Sequence, residues 1–308
     1  MTAVGRSDLD VFGLCLGGNV LGWTADEAAS FDVLDAYTRD GGNFIDTADL
    51  YAGGESEAII GRWMAARGNR DRVVLATKVG MRQDRHGLSA DNIAAAARDS
   101  LRRLQTDRID LYYAHRDDPD VDQDETLRAF DELVRGGLVR WIGASNFTAE
   151  RLASALEISR REGLAGYVAL QPYYNLLERG RYEGDLRALC EREGVACVPY
   201  YAVARGFLTG KYRPGGPEID SPRAAGVRDA YANDRGWAVL TELDRVAQAH
   251  GDAPIAAVSL AWLRQQPTVV APIASATSVA QLAELDRSVG LELTPEELSR
   301  LGAAAGLG

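Results

Sequence analysis

Asp46, Tyr51, Lys78 and His115 are well separated along the chain, yet each falls at or just past the end of a predicted strand. A carboxylate, a phenol, an ammonium and an imidazole gathered at one rim make a tuned proton donor. A phenol has a pKa of about 10 in a model peptide, and a neighbouring ammonium pulls it down by stabilising the phenolate. A buried lysine tends to lose its own charge, and an adjacent carboxylate such as Asp46 opposes that loss. The His115 imidazole, one strand further on, can hydrogen-bond the phenol or a substrate oxygen. Any one of these residues alone is more often part of a surface ion pair. Together they suit reversible carbonyl reduction, in which a cofactor supplies hydride and the phenol protonates the developing alkoxide.

The elements that must position them are short apolar runs alternating with longer helical patterns. Asp46 closes Asn43–Thr47, Lys78 follows Val73–Thr77, His115 follows Ile109–Ala114, and Tyr51 lies on the loop after the first of these. The runs Leu14–Leu16, Phe44–Ile45, Val73–Ala76, Ile109–Ala114, Trp141–Gly143, Val168–Leu170, Val195–Val198 and Val269–Ile273 make eight β/α units. Their starts are roughly 30 residues apart, the span of a strand plus a crossover helix, except for a longer last interval. The expected fold is an α/β (β/α)8 TIM barrel forming one domain over residues 1–308. Strand ends in such a barrel converge on one mouth, where active sites are built.

Glycines punctuate the helices: Gly41-Gly42 stops Ala25–Arg39, Gly136-Gly137 stops Glu125–Arg135, and Gly194 stops Leu186–Glu193. Asp8–Phe12 is expected to form an N-terminal hairpin capping the barrel bottom. The long loop after strand seven carries Gly206, Gly210, Pro214, Gly215, Gly216, Pro217 and Pro222. It should be irregular until helices Trp237–His250 and Pro254–Gln265, and a loop of that length on the catalytic rim is expected to act as a lid.

Charge excludes some partners. With 34 Lys+Arg against 45 Asp+Glu the formal charge is −11, which disfavours nucleic acid and anionic membrane surfaces. No apolar stretch reaches membrane-spanning length, so the expected location is cytoplasmic. Cys15, Cys190 and Cys197 show no metal spacing, and His115, His86 and His250 do not form a metal-binding set, so no metal is expected. Asp46 and Asp49 make a poor glycosidase pair, because no second strand-end acid faces Asp46. No motif specifies an oligomeric state.

At the residues of the proton-donor set the chain resembles the aldo-keto reductase superfamily. The resemblance rests on Leu14-Cys-Leu-Gly-Gly18, Asn43-Phe-Ile-Asp-Thr-Ala-Asp-Leu-Tyr51, Ala76-Thr-Lys-Val-Gly80, Ile109-Asp-Leu-Tyr-Tyr-Ala-His115, Ile142-Gly-Ala-Ser-Asn146, Gln171-Pro-Tyr-Tyr-Asn175 and Arg205-Gly-Phe-Leu-Thr-Gly-Lys211. It covers nearly the whole chain. It implies a (β/α)8 barrel and an NAD(P)H-dependent oxidoreductase that reduces aldehydes or ketones. Tyr51 would be the acid, Lys78 and Asp46 its pKa partners, and His115 the residue orienting the carbonyl. The other function that the resemblance allows is a nicotinamide-binding regulatory subunit with little turnover, like potassium-channel β-subunits.

Carried over residue by residue, the resemblance implies that Ser145, Asn146 and Gln171 hold the nicotinamide carboxamide and that Tyr200 stacks on the ring. Arg205, Gly206 and Lys211 would lie on the pyrophosphate. Trp23, Leu50, Met81 and Arg116 are expected at the substrate mouth. Two segments depart from the family pattern. Tyr200-Tyr-Ala-Val-Ala-Arg-Gly206 replaces Tyr-Ser-Pro-Leu-Gly-Arg-Gly, which puts Tyr201 where a serine is usual. In Pro272-Ile-Ala-Ser-Ala-Thr-Ser278, Thr277 stands at the usual cation, and Leu285 replaces an adenine-contacting Asn. Ser278 followed by Gln281 reads as a capping box, so Ser275, Thr277 and Ser278 would offer a phosphate helix-start amides and hydroxyls. The expected cofactor is NADP(H), less sharply preferred than in an Arg-bearing relative, with NAD(H) as the alternative.

Overall fold

Strands of a parallel sheet are buried on both faces, and the short apolar runs meet that condition. In a computed structural model, described for residues 1–306, the barrel strands are β3 (Cys15–Gly17), β4 (Phe44–Asp46), β5 (Val74–Val79), β6 (Ile109–Ala114), β7 (Val139–Ser145), β8 (Tyr167–Gln171), β9 (Ala196–Cys197) and β10 (Ile273–Ala274), preceded by a hairpin of β1 (Thr2–Ala3) and β2 (Asp10–Val11). They pair in parallel in the order β10-β3-β4-β5-β6-β7-β8-β9. The ring closes through a Cys197–Val269 bridge and a bond from Ile273 N–H to Pro199 O, 2.9 Å. This is the expected (β/α)8 TIM barrel.

The inward-facing residues include Cys15, Phe44, Ala76, Leu111, Tyr113 and Ala169, all buried. Register sets the mouth: Gly17 pairs with Asp46, Asp46 with Ala76, and Lys78 with Tyr113. Asp46, Ser145 and Gln171 are therefore final strand residues, Lys78 is one from the end, and His115 is the first residue past β6.

The hairpin is present, but its pairing is Thr2↔Val11 and Ala3↔Asp10, so only its second strand falls within the expected Asp8–Phe12. Val4, Leu9 and Val11 from it fill the barrel floor. Gly5, at φ +57°, passes so close to the barrel that a Cβ there would lie 2.2 Å from Val168 O. Strand eight is confined to Ile273–Ala274 rather than the expected Val269–Ile273, because Pro272 lacks the N–H that a ladder needs.

The long segment after β9 is less irregular than its glycines and prolines suggest. A helix at Ala224–Tyr231 interrupts it, with Val227 and Tyr231 buried. The following helix begins at Asp234 rather than Trp237, because Asn233 accepts from Gly236 N–H and caps it there. The third helix runs Ile255–Arg264. Among the described residues no helix is long and apolar enough to cross a membrane, and no cluster of His, Cys, Asp or Glu could hold a metal.

Candidate active site

Lys78 sits at the centre of the rim with no exposed surface. Its Nζ donates to Asp46 Oδ2 at 2.6 Å, to Thr47 O at 2.7 Å and to Tyr51 OH at 3.3 Å. These acceptors use the three N–H bonds of an ammonium. Burial alone would push the Lys78 pKa down, but the Asp46 carboxylate and the Tyr51 phenol outweigh it and the net shift is upward. Lys78 is therefore held in its charged form at neutral pH. Asp46 is fixed from its other side by Gln171 Nε2, which donates to Oδ1 at 2.9 Å.

Tyr51 departs from the expectation. Burial raises its pKa, Lys78 lowers it and Asp46 raises it again, and the net shift is upward. The charge beside a phenol is only one influence, and here desolvation is the larger. His115 stands edge-on to Tyr51, with ring centroids 6.1 Å apart. Its pKa is well below the ordinary value, through burial first and then the charges of Lys78 and Arg116. The ring is neutral at physiological pH, and its Nδ1 is buried with no hydrogen-bond partner.

A cavity of about 780 Å³ joins this corner to most of the residues singled out in the sequence. Asp46, Tyr51 and His115 line it, as do Trp23, Leu50, Met81 and Arg116 at the mouth; Lys78 lies beneath it. Ser145, Asn146, Gln171 and Tyr200 follow on the strand ends, and Arg205, Gly206 and Lys211 come from the long segment. Ser275, Thr277 and Gln281 lie at the far end, whereas Ser278 does not line the cavity.

The residues expected to bind an amide are wired to one another. Ser145 Oγ donates to Gln171 O at 2.9 Å. Asn146, at φ +57°, donates to His115 O and Ser145 Oγ, each at 3.0 Å, and accepts from Tyr200 OH at 2.8 Å. Engaging a ligand amide through Asn146 requires exchange of one of these bonds.

The expected capping box is only half formed. Ser278 Oγ accepts from Gln281 N–H at 3.3 Å, but Gln281 Oε1 turns to the N–H and hydroxyl of Thr277 at 3.0 and 3.1 Å. The N–H and hydroxyl of Thr277, both expected to meet a phosphate, are thus already bonded. Sequence reasoning missed Asn19, whose Oδ1 accepts from Ser275 Oγ at 2.7 Å. It follows β3 closely, so the strand-end rule that singled out the other residues could have found it. Also missed was Arg223, whose guanidinium lies 5.0 Å from the Trp23 ring centroid and spans from the long segment to the first loop.

Barrel and rim agree with the comparisons with known proteins. Residues 13–305 match the aldo/keto reductase family model, and the chain belongs to that family. It is 33% identical to norsolorinic acid reductase B of Aspergillus parasiticus over 94% of this chain and 79% of that protein. It is 31% identical to the aryl-alcohol dehydrogenase [NADP(+)] of Phanerodontia chrysosporium, covering 90% and 76% of the two chains. A probable voltage-gated potassium channel subunit beta of Oryza sativa is also 31% identical, over 97% of this chain and 94% of its own. Carbonyl reduction with a nicotinamide cofactor is the general chemistry of this family.

Proposed function

We propose that the protein is an NAD(P)H-dependent reductase of aldehydes and ketones in which Tyr51 is the general acid. The observation that carries this reading is the Lys78 ammonium held between Asp46 Oδ2 and Tyr51 OH at the cavity wall.

The residues present fit a nicotinamide dinucleotide. Amide-binding groups lie at the centre of the cavity, and Arg205, Lys211 and Arg223, none paired with a carboxylate among the described residues, line its outer part. Ser145, Asn146 and Gln171 would hold the carboxamide, and Tyr200 would stack on the ring. When bound, the cofactor supplies hydride to the carbonyl carbon. The chain's own contribution is to the oxygen. Tyr51 keeps its proton at neutral pH and delivers it only to a strong base, which the developing alkoxide is. Lys78 stabilises the phenolate left behind, and Asp46 keeps Lys78 charged through the cycle. Neutral His115 donates a hydrogen bond to the carbonyl oxygen without adding a second cation beside Lys78.

NADPH is the favoured cofactor in this reading, with discrimination weakened at Thr277. The named cofactor of the fungal aryl-alcohol dehydrogenase supports it. The Glu284 carboxylate, which lines the same end of the cavity, acts against a 2′-phosphate. The protein is expected to work on a small-molecule carbonyl in the cytoplasm, without nucleic acid or membrane.

Purified protein should oxidise NADPH in the presence of an aldehyde panel, followed by loss of reduced-nicotinamide absorbance. A second reading, a cofactor-sensing subunit, draws on the similarity to the rice channel subunit. Tight cofactor binding with negligible turnover across the panel would establish that reading and end the first.

A further inference from the structure

The substrate's own chemistry is written in one unpaired cation. The outer surface carries many Arg–carboxylate pairs, and Arg116 is flanked by two acids, yet neither is available to it. Asp117 is held by Arg151 at 2.7 and 2.9 Å. Asp118 accepts from Leu88 N–H at 2.8 Å and Asp120 N–H at 3.1 Å. Arg116 itself is exposed, lines the cavity, and has no carboxylate partner among the described residues.

Its position separates it from the other cavity cations. Arg205, Lys211 and Arg223 all come from the segment between β9 and β10, the last two strands before Ser275 and Thr277, although Arg223 reaches across to the Trp23 ring at the mouth. Arg116 follows β6, which is four places from β10 in either direction around the eight-stranded ring. It is thus diametrically opposite the phosphate end, beyond the Tyr51–His115 pair. Its charge is close enough to act on the His115 imidazole, after burial and Lys78. A cation on that side is too far round the barrel to serve the dinucleotide phosphates.

The walls beside it are apolar. Trp23, 51% exposed, is one of few large hydrophobic side chains left in solvent, and it lines the mouth with Leu50, Met81 and Tyr201. One guanidinium matches one planar carboxylate through paired N–H donors, whereas a phosphate dianion would call for further cations of the kind found at the other end.

We propose that Arg116 is a specificity-determining residue, and that the physiological substrate class is aldehydes or ketones with an apolar, ring-sized body and a carboxylate that Arg116 binds. The proposal rests on the carbonyl-reductase reading and names the substrate class of that same site.

The test uses 4-carboxybenzaldehyde and its methyl ester, methyl 4-formylbenzoate, which share a ring and a similar electron-withdrawing substituent but differ in charge. The wild-type chain is expected to show a higher kcat/KM for the acid. A charge-assisted hydrogen bond of ordinary strength predicts that Arg116→Met lowers the acid-to-ester ratio roughly ten- to a hundred-fold, mainly through KM. Arg116→Lys should retain part of the preference. Calorimetric titration of 4-(hydroxymethyl)benzoate into protein loaded with oxidised cofactor gives a readout that needs no turnover, and its affinity should fall by a similar factor in Arg116→Met. An unchanged ratio with unchanged affinity overturns the proposal. Absence of turnover with both aldehydes would sink the reductase reading, while the calorimetric comparison would still decide whether Arg116 binds a carboxylate.

Discussion

The two ends of the cavity are built on opposite plans. At the carbonyl end the charges of the proton-donor set are already met inside the protein: Asp46 accepts from Lys78 and Gln171, and Lys78 donates to three oxygens. At the end proposed for the phosphates the cations Arg205 and Lys211 line the cavity with no carboxylate partner among the described residues. The chain there takes positive φ at Tyr201, Ala204 and Arg205, a conformation costly for side-chain-bearing residues and common at ligand clamps. The carbonyl end is organised by folding, so its electrostatics are in place before a substrate arrives. The phosphate end holds charge in reserve for a ligand. Mutations in the proton-donor set should therefore act on rate, and mutations at the second end on affinity.

The largest effect expected from this contrast is at Tyr51. Tyr51→Phe keeps the ring and removes the donated proton, so turnover should fall by roughly 10²–10⁴ while cofactor affinity is nearly unchanged. Steady-state kinetics with cofactor titration on the same preparation check it, and near-normal turnover would remove Tyr51 from the mechanism. Lys78→Met should act in the same direction, because the phenolate loses its stabilising cation.

A smaller effect lies behind the same corner. Asp49 is 1% exposed, and neither carboxylate oxygen has a hydrogen-bond partner. Burial and the nearby Glu57 raise its pKa to about 7, against the opposing charges of Arg82, Arg103 and Arg85. An unfolded Asp ionises near pH 4. Between about pH 4 and 7 the folded chain binds more protons at this residue, so its contribution to stability falls as pH rises and levels off above 7. Asp49→Asn removes that dependence. Thermal unfolding at pH 6 and 8.5 should show the variant gaining on wild type at the higher pH, by roughly 1.4 kcal/mol, the amide's own burial cost being the same at both. An identical pH dependence in the two proteins would mean that Asp49 ionises normally.

How much of this was legible in the sequence follows the same division. Strand ends are set by local apolar periodicity, so the β/α repeat placed Asp46, Lys78 and His115 on one rim. What needed coordinates was pairing across the fold. Gln171 is 125 positions from Asp46, and Ser275 is 256 from Asn19. No local pattern encodes such bonds. The net shift of Tyr51 depends on burial, which its neighbours in sequence do not report. The Ala224–Tyr231 helix was hidden because its support is tertiary: Tyr231 packs on Phe207, with ring centroids 5.7 Å apart.

The smallest expected effect probes the phosphate end alone. The family resemblance sets Thr277 at the usual cation position, and its N–H and hydroxyl are both directed to Gln281. A charge-assisted hydrogen bond to phosphate is worth about 1.5–3 kcal/mol, so Thr277→Arg should raise the NADPH-over-NADH affinity ratio roughly ten- to a hundred-fold. Because the change lies at the far end of the cavity from Tyr51, turnover at saturating cofactor should hardly move. Equilibrium titration of both reduced cofactors against wild type and variant separates the outcomes. NADH binding more tightly to wild type would end the proposed preference and point to Glu284 as the dominant charge. An unchanged ratio in Thr277→Arg would place the 2′-phosphate elsewhere, with Lys211 and Arg223 as the next cations to test. A sharpened ratio together with unchanged turnover would bear out the contrast itself, with affinity set at one end of the cavity and rate at the other.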